Sequence, residues 1–318
     1  MSLLAQPRVR LGTFPTPLQP APRLSAEAGV EIWLKRDDLT GLGLGGNKVR
    51  GLEYLLADAE RHGCDCLVTG GGAQSNWAML AALGARMHGM DTVLVCYGDP
   101  VPPTGNMVLA ELAGAEVRFT GDPDRESVNR GVQEVAAELR ANGRKAYPLG
   151  RGGATAVGAL GYVAASMELA TQLRDIGIMP TELWLATGSC GTQAGLRAGA
   201  HWLQLPYEVV GVTVSRPVWE CAARIDRIAD EATVLIGASA VGSCPVVVGG
   251  QLGPAYGRRS EAGDAAARLV ARTEGVFLDP VFAAKAMAGL LAAARAGTVT
   301  GPLVFLVTGG APTLFSVG

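Results

Sequence analysis

The sequence predicts an α/β protein in which open parallel sheets are covered by helices on both faces. Short apolar runs alternate with helical patterns almost throughout the 318 residues, as expected for parallel strands that are joined by helices. The 44 glycines cluster at the predicted strand-to-helix turns. Such turns lie at the carboxyl ends of strands, where open α/β sheets bind ligands.

The strands are predicted from the short apolar runs, and the helices from longer segments with helical spacing of apolar residues. In chain order, the predicted strands are Glu31–Lys35, Cys66–Thr69, Thr92–Tyr97, Val117–Thr120, Glu182–Ala186, Val209–Val214 and Leu303–Val307. The predicted helices are Asn47–Arg61, Ser75–His88, Gly105–Leu112, Arg125–Asn142, Gly158–Ile176, Thr192–Trp202, Pro217–Ala229, Ser260–Glu274 and Phe282–Ala296.

Two breaks in the pattern, near Gly51 and near Gly152-Gly153, predict a division into two domains. Residues 52–162 form the predicted smaller α/β domain, inserted into a larger one that consists of residues 1–51 and 163–318. The length of the chain allows one or two domains. A cleft between two such domains is a natural site for a small molecule.

The charge balance argues against nucleic acid and acidic membranes as partners. Lys and Arg number 27 against 29 Asp and Glu, a formal net charge of −2, so no basic footprint is expected. Two uncharged stretches, residues 66–85 and 232–257, are interrupted by glycine, proline or polar residues, and hydrocarbon would leave such irregular backbone unpaired. We therefore predict two buried strand–loop–helix junctions, no membrane span, and a small-molecule partner.

The cysteines and histidines point away from disulfides and metals. The six cysteines show neither a secreted framework nor zinc spacing, and the N-terminus has no apolar core of signal-peptide length, which predicts a cytoplasmic protein. The three histidines, His62, His88 and His201, lie in helical stretches. We therefore expect neither a histidine-rich metal site nor a Ser-His-Asp triad.

A glycine-rich loop places Lys48 at the start of a predicted helix. The charged end of the first strand, Lys35–Asp38, is followed by glycines at 41, 43, 45 and 46 and then by Asn47-Lys48. The positive end of the helix disfavours the protonated amine and so promotes the neutral form that an imine requires. A solvated lysine that opens a surface helix is the alternative interpretation.

A second loop, Thr187–Thr192, connects a predicted strand to a predicted helix. Its glycines let the backbone wrap closely, so that successive N–H groups and the helix N-terminus favour negative charge. The loop lacks the lysine of a nucleoside-triphosphate loop and the G-x-G-x-x-G spacing of a dinucleotide site, which indicates a compact monophosphate. An ordinary tight turn is the alternative.

Two more strand ends carry polar groups. Gln74, Ser75 and Asn76 follow three glycines and offer donors beside free N–H groups, an arrangement suited to a carboxylate. Ser75 also fits a helix N-cap. The last predicted strand ends in Thr308 and two glycines, which indicates either another approach of backbone to ligand or a C-terminal turn. Together the four loops predict one site with an amine, a phosphate cup, a carboxylate cradle and a hydroxyl.

These segments together resemble the family of 1-aminocyclopropane-1-carboxylate deaminases and D-cysteine desulfhydrases. The matches follow one another along nearly the whole chain. They are Phe14–Leu18, Leu34–Asp38, Gly46–Lys48, Gln74–Asn76, Gly105-Asn106, Gly114–Val117, Gly152-Gly153, Gly161–Val163, the loop of residues 188–192, Tyr256-Gly257, Leu278–Val281 and Lys285–Leu290. The resemblance implies a tryptophan-synthase-β-like fold with pyridoxal 5′-phosphate in the interdomain cleft, a small amino acid as substrate, and a homodimer.

The resemblance also implies a role for each matching residue. Lys48 holds the cofactor as an imine and shuttles the proton, Asn76 holds the ring oxygen, and Thr308 lies beside the pyridine nitrogen. The implied phosphate-binding residues are Gly188, Ser189, Cys190, Gly191 and Thr192. Ser75, near the carboxylate, and Tyr256 are implied as catalytic residues with Lys48. The implied substrate-lining residues are Gln74, Ser75, Trp77, Tyr256 and Phe282.

The sequence departs from the family pattern at three positions. Trp77 stands where the family usually has histidine, Phe282 where it has tyrosine, and Ala283 where the deaminases carry an acid beside the pyridine nitrogen. Phenylalanine cannot transfer a proton, and losing one positioned acid–base group costs about 10²–10⁴-fold in rate. Opening of a cyclopropane ring is therefore disfavoured. Trp77 and Phe282 also indicate a drier pocket that suits a larger or less polar substrate.

The predicted reaction is α,β-elimination from a small β-substituted, cysteine-like amino acid, with a keto acid and ammonia as products. It needs Lys48 to remove the α-proton and a good leaving group on the β-carbon. Three alternatives stay open: a β-replacement synthase in specialised metabolism, deaminase-type ring opening, and a protein that binds the cofactor but has lost catalysis.

Overall fold

The computed structural model describes residues 2–315, in which ten strands and ten α-helices alternate. The strands are β1 (Leu18–Pro20), β2 (Ile32–Arg36), β3 (Cys66–Gly71), β4 (Asp91–Cys96), β5 (Glu116–Phe119), β6 (Ala146–Pro148), β7 (Glu182–Thr187), β8 (Glu208–Thr213), β9 (Val246–Val248) and β10 (Leu303–Val307). The helices are α1 (Pro22–Ala28), α2 (Lys48–Arg61), α3 (Asn76–Met87), α4 (Asn106–Leu112), α5 (Ser127–Ala141), α6 (Ala156–Ile176), α7 (Gly191–Trp202), α8 (Val218–Ile236), α9 (Glu261–Glu274) and α10 (Ala283–Arg295).

The larger sheet has six strands in the order β1-β2-β10-β7-β8-β9. Only the β1–β2 pair is antiparallel among the described strands, with Leu18 opposite Lys35. The other pairs are parallel, as in β10 beside β2, where Leu303 lies opposite Ile32. Successive residues of β10 face opposite sides: Phe305 packs with α9 and α10, and Leu306 packs with α6 and α7. Helices therefore cover both faces of a buried parallel sheet.

The smaller sheet has four parallel strands in the order β5-β4-β3-β6. Val68 and Val93 pack with α5 on one face, whereas Leu67 packs with α2 and α3 on the other. All four strands fall inside the predicted insertion of residues 52–162. The predicted architecture of two helix-covered parallel sheets is confirmed. The exact domain boundaries stay a prediction.

The seven predicted strands are all present, with ends that differ from the prediction by at most two residues. The short elements β1, β6, β9 and α1 were not predicted, because three to seven residues are too few to show a period. Helix α8 was predicted to end at Ala229, but it continues to Ile236. Ala232 and Ile236 lie one turn apart and are both buried in the core, and the left-handed Gly237 ends the helix.

The uncharged stretch of residues 232–257 was predicted to be a buried junction, and that prediction is wrong. After α8 ends, residues 237–257 form an irregular segment that is half-buried or exposed and contains only the short strand β9. Glycine and proline leave too few apolar side chains there to cover the backbone. The other uncharged stretch is a buried junction, in which β3 leads through a loop into α3. No helix within residues 2–315 has the length and apolar character to cross a bilayer.

Candidate active site

A cavity of about 700 Å³ lies between the two sheets, at the carboxyl ends of β3, β7 and β10. The structure brings nearly all the predicted site residues into its wall: Lys48, Gln74, Ser75, Asn76, Trp77, Gly188, Ser189, Cys190, Thr192, Tyr256, Phe282 and Thr308. Gly191 is the exception. It opens α7 with its Cα facing Ala154, and a β-carbon there would lie 3.2 Å from that residue.

The loop before α2 fixes the position of Lys48. Gly45 has a φ of +72°, and a β-carbon there would lie 1.9 Å from the carbonyl oxygen of Asp38, so only glycine fits this turn. The Thr40 hydroxyl accepts a hydrogen bond from the Gly46 amide at 2.8 Å. The Asn47 amide donates to the Thr308 carbonyl at 3.0 Å. Lys48 is therefore tied through the backbone to the end of β10.

Lys48 is half-buried in the cavity wall, and its amine has no compensating carboxylate among the described residues. Its Nζ atom donates to the Ser189 hydroxyl at 3.3 Å, and no acidic side chain of residues 2–315 forms an ion pair with it. Burial lowers the pKa of Lys48 to about 8, opposed by the Cys190 thiol. The helix end was predicted to disfavour the protonated amine, but removal from water is the main cause of the lowered pKa. The neutral amine is therefore accessible near pH 8.

The loop of residues 188–192 presents unpaired backbone donors. In the described part of the chain, no carbonyl or side chain accepts a hydrogen bond from the amides of residues 189–193. Cys190 has a φ of 78°, which is unusual for a residue other than glycine and is often found at functional sites. Asn47 donates to the Thr192 hydroxyl at 2.9 Å. Free amides, the Ser189 hydroxyl and the Lys48 amine form a donor set that fits the phosphate and aldehyde of pyridoxal phosphate.

The loop of residues 74–76 is held by Asn106, a residue to which the sequence analysis assigned no role. The Asn106 side-chain amide donates to the Gln74 carbonyl at 3.0 Å and to Asn76 Oδ1 at 2.7 Å. This leaves Asn76 Nδ2 as a donor beside Gly310. Ser75 caps α3 by accepting from the Ala78 amide at 3.2 Å. The motif Gly105-Asn106 was visible in the sequence, but its contacts depend on the meeting of β3 and α4.

The aromatic wall differs from the predicted dry pocket. Trp77 is buried in the core under α3, where its indole N–H donates to the Thr69 hydroxyl at 2.8 Å. Phe282 is half-buried and meets the ring of Tyr256 edge-on, with 6.3 Å between centroids. Tyr256 is 37% exposed. The wall is therefore aromatic, but it is open to solvent at Tyr256.

Position 283, where the sequence has alanine in place of an acid, lies behind the cavity wall. Ala283 is buried in the core and does not line the cavity. Its amide donates to Asp279 at 2.8 Å, and Asp279 also accepts from the amides of Val281 and Phe282. Burial raises the pKa of Asp279 to about 6 despite these donors. Asp279 therefore caps α10, while Thr308 lines the cavity at the end of β10.

Arginines at the outer end of the cavity were not predicted as site residues. They are Arg125, Arg151, Arg216, Arg258 and Arg259. Apart from the last two they are far apart in the sequence, and only Arg151 stands in a glycine-rich segment before a helix, between Gly150 and Gly152-Gly153. The fold brings the five to one place, so the sequence carried no signal for them as a group.

Comparisons with known proteins agree with this geometry. A family model described as "Pyridoxal-phosphate dependent enzyme" matches residues 9–309. A protein from Salmonella choleraesuis (strain SC-B67) named D-cysteine desulfhydrase is 37% identical over 322 residues, with coverage of 98% of this chain and 96% of the relative.

Solved structures share the fold. One described as an ACC deaminase homologue superposes with a TM-score of 0.93 at 38% identity, covering 98% of this chain and 94% of that one. A threonine deaminase from Solanum lycopersicum has a TM-score of 0.70 at 18% identity, covering 97% and 82% of the two chains, and shows similarity of fold alone.

Proposed function

The chain belongs to the family of pyridoxal-phosphate-dependent enzymes, and from that premise we propose that it catalyses α,β-elimination from a small β-substituted, cysteine-like amino acid. The family, fold and cofactor that the sequence resemblance implied are confirmed. In the proposed reaction an S-substituted cysteine and water give a thiol, pyruvate and ammonia. The Cα–H and Cβ–S bonds break, the thiol leaves with a proton, and water releases the amino group as ammonia.

The observation that carries this proposal is the half-buried amine of Lys48, which lacks an ion-pair partner among the described residues and lies beside a loop of free amides. When bound, pyridoxal phosphate supplies an electron sink that stabilises negative charge at the substrate's Cα. Lys48 removes the α-proton, because its pKa of about 8 lies close to the pH at which a base operates efficiently. Its hydrogen bond to Ser189 orients the amine within the cavity.

The remaining wall residues hold the two small molecules. We assign the amides of residues 189–193 and the Ser189 hydroxyl to the cofactor phosphate, Asn76 Nδ2 to the ring oxygen, and Thr308 to the ring nitrogen. The amides of Asn76 and Trp77 open α3 and have no acceptor among residues 2–315. With Gln74 and Ser75 they form the proposed cradle for the substrate carboxylate.

Elimination is favoured over ring opening by what positions 282 and 283 contain. The Phe282 ring faces the cavity but offers no proton, and Ala283 is buried behind it. A hydroxyl at the ring nitrogen, as at Thr308, suffices for a substrate whose β-substituent already leaves readily. The name D-cysteine desulfhydrase of the Salmonella relative is consistent with such a substrate.

The proposal is tested by absorption spectra and product analysis of the purified protein. D-cysteine, L-cysteine and 1-aminocyclopropane-1-carboxylate are added separately, and thiol or sulfide, keto acid and ammonia are measured. We expect a visible band that is lost in Lys48→Ala, and sulfide release from one cysteine enantiomer. No release from any D- or L-cysteine derivative contradicts elimination.

Two further outcomes identify the other reactions. A product that keeps its amino group when a second thiol is added identifies β-replacement. Spectral binding without exchange of the α-proton for deuterium identifies a protein that has lost catalysis.

We further propose that the protein acts in the cytoplasm as a homodimer. The six cysteines are all free, and four of them are buried. Sedimentation of the purified protein tests the dimer: a single species of 32.7 kDa, the mass of one chain, contradicts it.

A further inference from the structure

Three guanidinium groups meet at the outer end of the cavity. Arg125 lies over the ring of Tyr256, with its Cζ atom 4.2 Å from the centroid, and it donates to the Ser215 carbonyl at 3.4 Å. Arg216 is the next residue after Ser215, and Arg151 approaches from the loop before α6. Glu126 joins the last two, because it pairs with Arg151 and lies 3.8 Å from Arg216. We call Arg125, Arg151 and Arg216 the guanidinium cluster.

The positive charge of the cluster is only partly compensated. Glu126 pairs with Arg151, and Glu220 pairs with Arg216. No carboxylate in the part of the chain that the structure describes forms an ion pair with Arg125. The Nε atom of Arg216 is buried and has no acceptor. Asp99 is the one acidic residue among the described lining residues, against Lys48 and five arginines.

The arginines also act on one another. Burial lowers the pKa of Arg151, and the charges of Arg216 and Arg125 lower it further, while Glu126 opposes the change. Like charges that are held together in a half-buried wall favour an incoming anion, because the anion relieves their repulsion.

The cluster adjoins the substrate side of the cavity. The Tyr256 ring separates Arg125 from Phe282, which closes the wall above Gly188. The phosphate loop has its own amide donors, so the cofactor leaves the cluster without a ligand. A substituent that extends from the β-carbon past Tyr256 would reach the cluster.

We propose that the substrate carries a second anionic group on its β-substituent and that Arg125, Arg151 and Arg216 bind it. This inference rests on the proposed elimination and names its substrate class: cysteine-like amino acids that carry a carboxylate or phosphate beyond the β-carbon. Guanidinium groups suit this task because they bind such anions through paired hydrogen bonds.

The test uses two substrates that differ in charge but hardly in size. S-(carboxymethyl)cysteine and S-(carbamoylmethyl)cysteine, each as D- and L-forms, are compared by kcat/KM for thiol release with the cofactor-loaded enzyme. We expect the carboxymethyl compound to be preferred by at least about 10-fold, as expected for a charged hydrogen bond. In Arg125→Gln this ratio falls toward one. In Arg130→Gln, which changes an exposed arginine of α5 that pairs with Asp122, the ratio stays.

Two kinetic results would overturn the inference about the guanidinium cluster and leave the proposed elimination intact. The first is an equal kcat/KM for the two compounds. The second is an unchanged kcat/KM ratio in Arg125→Gln together with weaker cofactor affinity, since that result assigns the cluster to the cofactor.

Substrate binding provides a measurement that does not depend on turnover. If no compound releases thiol, elimination fails, and the affinities of the same pair are then compared by titration calorimetry. Tighter binding of the carboxymethyl compound, lost in Arg125→Gln, supports the cluster as an anion site. Equal affinities overturn it.

Discussion

Lys35 is buried and Lys48 is half-buried in the larger sheet region, and their surroundings differ. Lys35 Nζ donates to the Thr16 carbonyl at 2.7 Å and to Gln172 at 2.8 Å, and it pairs with Glu168. Among the described residues, the Lys48 amine contacts only the Ser189 hydroxyl as a hydrogen-bond partner. Burial lowers the pKa of both amines, but Glu168 opposes the shift at Lys35. The ion-paired amine of Lys35 therefore has a structural role, whereas the amine of Lys48 remains available for reaction.

The surroundings of Lys35 extend into a buried ion network. Arg50 pairs with Asp37 at 2.7 Å and with Glu168 at 2.9 Å, and the Tyr162 hydroxyl donates to Asp37 at 2.5 Å. Burial alone would raise the pKa of Asp37, but Arg50 and Tyr162 hold it below its usual value. The network joins β2, α2 and α6. It thereby sets the position of α2, the helix that begins at Lys48.

The largest expected effect is the loss of elimination activity when Lys48 is replaced. Lys48→Ala should lower elimination by at least about 10³-fold, because it removes the proposed base. Its free energy of unfolding should stay the same or rise, since the change removes a partly desolvated amine that has no carboxylate partner. Turnover and urea denaturation of the same preparations measure both quantities. Lys35→Met is the matched comparison, because it removes one partner of the ion pair with Glu168. A loss of unfolding free energy in Lys48→Ala as large as that in Lys35→Met would contradict the distinction between the two lysines.

Breaking the ion network should affect stability instead. Asp37→Asn should lower the free energy of unfolding by about 3–5 kcal/mol, because Arg50 loses its main buried partner. Urea denaturation at pH 7 gives the value, and Asp122→Asn, which breaks an exposed pair with Arg130, is the control with an expected change of less than about 1 kcal/mol. If Asp37→Asn and Asp122→Asn lowered the free energy of unfolding equally, the ion network would have no special role in stability.

A third prediction concerns pH and the apoprotein. Only the neutral amine attacks the aldehyde of pyridoxal phosphate, and the pKa of Lys48 is lowered from 10.5 to about 8. The rate of covalent uptake should therefore fall about tenfold per unit below pH 8 and level off above it. Stopped-flow absorbance between pH 6 and 10 measures this rate. A rate that still rises about tenfold per unit between pH 8 and 10, as for a lysine of pKa 10.5, would show that the amine is not desolvated.

The smallest effect is expected at Phe282. Phe282→Tyr restores the phenol that is typical of the family, and its hydroxyl can point into the cavity, so stability should change by less than about 1.5 kcal/mol. Elimination should persist, and ring opening of 1-aminocyclopropane-1-carboxylate should stay undetectable because Ala283 still supplies no acid. Ammonia release from that compound is the measurement. Its appearance in the single variant would identify the phenol as the missing group.

Much of the site could be predicted because its parts are local in sequence. Gly45 and Gly46 force the turn that delivers Lys48, and residues 188–192 make the turn from β7 into the start of α7. The roles assigned to these residues stay predictions, but the cavity brings them together. The lack of a carboxylate partner for the Lys48 amine among the described residues could not be predicted, because it depends on which carboxylates the fold places nearby.

The sequence by itself determined the family, the cofactor, the alternation of strands and helices, and the loops that carry Lys48 and the phosphate site. Tertiary structure decided where charge is compensated: Arg50 meets Glu168 across 118 positions of the chain, and Arg125 meets Tyr256. It also decided that α8 continues past Ala229 and that Trp77 serves the core. Backbone conformation follows from neighbours along the chain, whereas burial and ion pairing follow from neighbours in space.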